Sequence, residues 1–296
     1  MIIDIGANIG EFSLEMAKRN PKLTIIAVEP IPYLVEKTKQ VAALMKLDNI
    51  EIYECAIDNR EHETSFNLAA HHDNGVSSLL DFNVQNIQAD EYWKDREDLF
   101  FNKKISVQVK TLESLLKNLP QENIEFIKVD AQGVDLNVLK SAGKYIPRIQ
   151  AGMLEVSLNS YNSLYEGDSS FLYESLSWLS ENDFTPYALK PNDPASNEFN
   201  LYFCRKGVDF QSVEQRLKLR NCHLYDGKNF WHYPSDTLLT IDVDIKKHQA
   251  ELSRHKEETA RYKEETARYK EETARYKEDA ANYKTKLLRY LSRFFR

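Results

Sequence analysis

The opening of the chain constrains the fold most. Ile2-Ile3-Asp4-Ile5 is a short apolar run that ends in Gly6-Ala7-Asn8-Ile9-Gly10, and Phe12, Met16 and Ala17 then recur at helical spacing. A strand that turns through two glycines straight into a helix starts a βαβ unit. Asn20-Pro21 breaks the helix, and residues 23–28 read as a buried strand ending at Glu29-Pro30. The alternation continues: residues 35–44 are helical, 50–56 and 105–109 alternate like strands, and Thr111 caps a helix over 111–116. Residues 124–130 and 152–156 are strands, 134–142 and 171–179 helices, and 199–204 the last strand. Residues 60–104 are less regular, with His71-His72-Asp73-Asn74-Gly75 marking a loop. Strands separated by helices predict a mainly parallel sheet covered on both faces. Its ligand site lies beyond the carboxyl ends of the strands.

Charge divides the chain. The 296 residues carry a net −7, but residues 245–296 hold 15 Lys and Arg against 9 Asp and Glu, leaving residues 1–244 with 24 against 37. An acidic body argues against electrostatic binding to nucleic acid, and 244 residues suffice for a large buried core. No apolar run approaches the roughly 20 residues of a spanning helix, and no signal peptide opens the chain. Cys55, Cys204 and Cys222 are too far apart for a metal box or disulfide framework, so a reduced, cytoplasmic protein is expected.

The first strand end carries the most chemistry. Glycines at Gly6 and Gly10 let a ligand approach the backbone, and Glu29, at the end of the next strand, can accept hydrogen bonds from a ribose diol. The pattern predicts a nucleoside-containing ligand. A dinucleotide fingerprint needs glycine where this chain has Asn8, because the pyrophosphate crowds that position. S-adenosylmethionine has no phosphate there and tolerates Asn8, and Asp4 can meet its amino group.

The segments 4–10, Val28-Glu29-Pro30, 111–116, 128–135, 138–142 and Leu154-Glu155, in that order, resemble the FkbM-type S-adenosylmethionine-dependent methyltransferases over roughly residues 1–206. The resemblance implies a class I methyltransferase (Rossmann-like) fold, mostly parallel and seven-stranded, with an antiparallel strand in the last pair. It implies S-adenosylmethionine as cofactor and methyl transfer to oxygen, commonly a sugar or polyketide hydroxyl. It also implies that Asp4, Gly6, Ala7, Asn8 and Gly10 line the methionine and ribose side, that Glu29 holds the ribose, and that Ala56, Ile57 and Asp58 flank the adenine. Gln132 stands where the family often has Glu. Met1 lies immediately before the first strand, where members usually carry more residues over the pocket, so a more open site or an earlier start is expected.

Methyl transfer to a hydroxyl is an in-line displacement that needs the acceptor oxygen near the methyl and a group to take its proton. Asp130 and Glu155 end neighbouring strands and are the candidate catalytic carboxylates. They act as base, or as ligands of a Mg²⁺ that polarises a sugar diol. Asp135 reads as a helix N-terminal carboxylate. His72, beside His71 in the loop, is a third catalytic candidate, and Tyr161 and Tyr165 are candidates for stacking on a sugar.

The tail repeats with period seven: Arg-Tyr-Lys-Glu-Glu-Thr-Ala at 261–267 and 268–274, then a variant at 275–281. Tyrosines 262, 269, 276, 283 and 290 fall at d, and Ile245, Leu252, Thr259, Thr266, Thr273, Ala280, Leu287 and Phe294 at a. Glutamates at g face lysines at e, the pattern of a parallel coiled coil, dimer or trimer; as one helix it would reach about 78 Å. Residues 284–296 hold five cations, no acid and a broad apolar face, as in a helix lying on an anionic leaflet. The expected organisation is thus a methyltransferase domain at 1–207, an accessory segment at 208–244, a coiled-coil stalk at 245–283 and a membrane-contacting end at 284–296, the homo-oligomer forming through 245–290. The whole reads as a carbohydrate O-methyltransferase, peripheral on the inner face of the plasma membrane. It caps or measures a bacterial surface polysaccharide and works beside a glycosyltransferase. The alternative is an inactive methyltransferase-fold scaffold that recruits that glycosyltransferase.

Overall fold

A computed structural model describes residues 1–69, 75–96, 99–192, 197–222 and 225. His71, His72 and the whole 245–296 tail, on which the coiled-coil and membrane expectations rest, lie outside the described residues. The secondary structure runs β1 (Ile2–Ile5), α1 (Glu11–Arg19), β2 (Ile25–Val28), α2 (Pro32–Leu44), β3 (Ile50–Tyr53), β4 (Ala56–Ile57) and β5 (His62–Ala69). It continues with α3 (Val84–Ala89), β6 (Phe101–Lys110), α4 (Leu112–Lys117), β7 (Phe126–Val129), α5 (Asp135–Lys140) and β8 (Ala151–Ser157). The last described elements are α6 (Leu172–Glu181), β9 (Phe184–Pro191), β10 (Glu198–Arg205) and α7 (Phe210–Leu217).

Seven strands form one sheet in the order β3-β2-β1-β7-β8-β10-β9. The first five are parallel, and β10 runs antiparallel to both β8 and β9. This is the expected class I methyltransferase sheet. In the central strands both faces are buried, and successive residues serve opposite cores. Ile2, Ile25 and Phe126 join Phe12 and Met16 of α1 and Phe210, Val213 and Leu217 of α7. Ile3, Ile26 and Ile127 join Leu112 and Leu116 of α4, Val138 and Leu139 of α5 and Leu179 of α6. Helix α7, in the segment expected to be accessory, is thus part of the main core.

Three elements depart from the sequence reading. The stretch taken as irregular contains β5 and α3, and the strand expected over 50–56 is broken into β3 and β4. Strands β4, β6 and β5 form a second, three-stranded sheet. Strand β5 hides in sequence because its first half, His62-Glu63-Thr64-Ser65, is polar and its outer face is solvated, whereas Phe66 and Leu68 pack with Ile31 and Leu34 under the small sheet. Strand β9 is also mostly exposed, as an edge strand is. The Thr111 cap is present: its hydroxyl accepts the Ser114 amide at 3.2 Å. All three cysteines are buried, and none forms a disulfide. Among the described residues no helix is long and apolar enough to cross a membrane.

Candidate active site

The carboxyl ends of β1, β2, β7 and β8 open into one cavity of about 410 Å³, inside the range of small-molecule sites. Gly6, Ala7, Asn8, Glu29, Ala56, Ile57, Asp130 and Glu155 all line it. Asp4, Gly10 and Asp58 stand behind the wall.

The glycine turn is built around close contacts. Gly6 has φ 73°, and a Cβ there would lie 1.9 Å from the Asp130 carbonyl oxygen. Gly10 has φ 78° and serves packing: its Cβ would meet the Thr38 side chain of α2 at 2.3 Å. Asn8 takes a left-handed φ of 50°, which asparagine tolerates. Glu29 latches this turn to the next strand end, its two carboxylate oxygens accepting the amides of Asn8 at 2.8 Å and Ile31 at 3.0 Å. Burial pushes the Glu29 carboxyl up to about 7, against the pull of those two amides.

Asp4 is fully buried, accepts the Ser13 hydroxyl at 2.6 Å and lies 3.4 Å from the Lys128 ammonium. Lys128 is the residue that periodicity missed. It sits opposite Asp4 in the β1–β7 register, 2% exposed, with Asp130 at 3.2 Å on its other side. Burial alone would lower the Lys128 ammonium, but Asp130 and Asp4 outweigh it and hold it above its ordinary value. A lysine inside an apolar strand flanked by acidic strand ends was the only available signal.

Beyond β7 the cavity is polar. Asp130 Oδ1 accepts the Gln132 side-chain amide at 2.7 Å, and Glu155 Oε2 accepts the same nitrogen at 2.9 Å. Asn192 donates to the other Glu155 oxygen. Burial, then Asp130, Glu198 and Asp135, hold the Glu155 carboxyl well above the usual carboxylate range. Tyr92, Arg96, Asn192 and Glu198 complete this end, and none of them was expected from the sequence. Their positions in irregular or edge segments carry no periodic signal. Asp135 clamps the loop after β7 by accepting the Ala131 and Gly133 amides at 2.8 and 3.2 Å. Tyr165 is buried against Phe82 and its hydroxyl meets Gln132, whereas Tyr161 is 85% exposed.

The residues fit S-adenosylmethionine. Asn8 Oδ1 and Asp58 Oδ1 are buried without a hydrogen-bond partner, acceptors awaiting a donor. Ile31, Leu34, Ala56, Ile57 and Phe66 make an apolar slot beside Glu29. A bridging Mg²⁺ does not fit: the Gln132 nitrogen occupies the space between Asp130 and Glu155. Among the described residues no three His, Cys, Asp or Glu side chains converge to hold a metal.

Fold and cavity are those of a class I methyltransferase. The chain belongs to the FkbM methyltransferase family, whose domain matches residues 4–186. Methyltransferase 1 of Beauveria bassiana is 25% identical over 142 residues, 47% of this chain and 57% of that protein. The 2-O-methyltransferase NoeI of Sinorhizobium fredii is 24% identical over 169 residues, 56% and 66% respectively. The chain therefore spans less than two thirds of either relative. Solved structures are more distant: an rRNA methylase from Streptococcus thermophilus, 12% identical, aligns over 69% of this chain and 85% of its own with a TM-score of 0.38. The family assignment rests on the sequence match alone.

Proposed function

We propose that the protein transfers a methyl group from S-adenosylmethionine to a hydroxyl of a carbohydrate. The observation that carries this reading is the division of a single cavity. One end is an apolar slot beside a buried carboxylate, and the other is a cluster of carboxylates and amides suited to a polyol. The name of the relative NoeI, a 2-O-methyltransferase, supports oxygen as the acceptor.

When bound, the cofactor supplies an electrophilic methyl group on sulfur. In this reading Glu29 accepts the ribose hydroxyls, and Asn8 accepts a donor from the methionine end. The apolar slot excludes water from the adenine. Asn192 and Glu198 orient the acceptor ring. Asp130, the most open of the strand-end carboxylates at 30% side-chain exposure, takes the hydroxyl proton as the oxygen–carbon bond forms. The carbon–sulfur electron pair stays on sulfur, so charge and protons balance.

The tail extends the proposal. Its heptads support a parallel homo-oligomer through 245–290, and the cations of 284–296 support contact with an anionic membrane, where several weak helices add their affinity. The enzyme would then work at the inner membrane face on a lipid-borne polysaccharide, beside a glycosyltransferase, with the stalk setting a distance that caps or limits chain length. Deleting whole heptads should shift glycan length; unchanged length would sink that part. Calorimetry with S-adenosylmethionine tests the core of the reading, followed by labelled-methyl transfer to a panel of oligosaccharides. Binding is expected together with label on a glycan oxygen. Failure to bind would leave the inactive scaffold as the function.

A further inference from the structure

Two carboxylates facing one cavity repel unless a proton, a cation or a hydrogen-bond donor lies between them. Here the space is filled by the amide nitrogen of Gln132, one hydrogen for Asp130 at 2.7 Å and one for Glu155 at 2.9 Å. The amide cannot be reversed, because its oxygen would then face both carboxylates. Its oxygen instead accepts the Tyr165 hydroxyl at 2.6 Å. The backbone is held just as firmly. Gln132 has a left-handed φ of 52°, a costly conformation for a side-chain-bearing residue, and its carbonyl accepts the Ser78 hydroxyl at 2.6 Å. Every polar group of Gln132 that faces the cavity wall is thus committed.

We propose that Gln132 is a positioning residue standing in place of the third carboxylate that a cation site here would need: its amide cross-links Asp130 and Glu155 and aims Asp130 at the acceptor hydroxyl. The role of Asp130 rests on the methyltransferase reading above. Lys128 already balances Asp130 from behind at 3.2 Å, whereas Glu155 has no ion pair among the described residues and relies on Gln132 and Asn192. The pair is therefore complete without a metal. Replacing the amide with a third carboxylate would turn the same geometry into an oxygen-rich cation site.

The test uses the full chain, Mn²⁺ alone as a paramagnetic probe, and S-adenosylhomocysteine on the same samples. Wild type should bind no Mn²⁺ in the cavity. Gln132→Glu should gain one Mn²⁺ by electron paramagnetic resonance and lose it again when Glu155→Gln is added. Its melting temperature should rise by roughly 5–10 °C at a hundredfold excess over the dissociation constant. Gln132→Met, of similar length but without the amide, and Gln132→Gly, which relieves the backbone, should gain no such thermal response. A merely structural role does not predict that split. Stoichiometric Mn²⁺ on wild type that Asp130→Asn abolishes overturns the proposal, as does a Gln132→Glu protein indifferent to Mn²⁺. Failure of wild type to bind S-adenosylhomocysteine overturns the methyltransferase reading separately, and the role given to Asp130 with it.

Discussion

Glu29 latches the glycine turn with a carboxylate whose charge depends on pH. Burial holds it up at about 7 against an ordinary 4.5, so the fold prefers its neutral form. The stability it contributes is full below pH 4.5 and is lost as pH rises through about 7, a change of about 3 kcal/mol. Denaturant unfolding across that window should show the loss in wild type and a shallower slope in Glu29→Gln. If Glu29 holds the ribose as proposed, the hydroxyls donate to its ionised form, so cofactor affinity should move the other way. Calorimetry should find it rising about tenfold between about pH 6 and 8 in wild type and flat in Glu29→Gln. Gly6 is constrained differently. Its positive φ and the 1.9 Å approach to the Asp130 carbonyl make Gly6→Ala destabilising by about 2–5 kcal/mol, with cofactor binding lost as the turn is pushed off β7.

At the scale of elements, β1 and β7 are joined by more than their ladder. Lys128 lies between Asp4 and Asp130 with almost no exposure. Lys128→Met removes the cation and leaves two acids facing each other, a cost of about 3–5 kcal/mol by urea unfolding. Adding Asp4→Asn should recover part of it. This pairing marks the boundary of what the chain reveals before it folds. Gly6, Glu29, Asp130 and Glu155 are legible because a change of hydrophobic period locates each strand end, and the strand ends line the cavity. Lys128 is not legible, since an ionisable residue inside a strand acquires its meaning only from the neighbour that register places beside it. Strand β5 escapes the pattern because its first half is polar, and the close fit of Gly10 against Thr38 of α2 is a tertiary contact that no spacing encodes. Gln132 was visible as a residue type, but its link to Glu155 spans two strands and no sequence spacing encodes it.

For the whole molecule, the described core does not stop at the last strand. Phe210, Val213, Leu217 and Leu219 are buried against the α1 face, within a compact unit bounded by Met1 and Trp231. Truncation after residue 207 exposes that face and removes on the order of 6–10 kcal/mol of apolar burial, comparable to the stability of a whole domain. Such a protein should fail to melt cooperatively, while one ending at residue 231 should keep its transition and bind S-adenosylhomocysteine. The reversed strand β10 has a consequence of another kind. Because it enters the sheet where its parallel neighbours leave it, Glu198 opposite Ser157 arrives at the acceptor end from the opposite chain direction. The end proposed for the cofactor is drawn from β1, β2 and the small sheet, early in the chain. Under the proposed function, variation at Asn192 and Glu198 would therefore change which hydroxyl is methylated while the source of the methyl group stays the same.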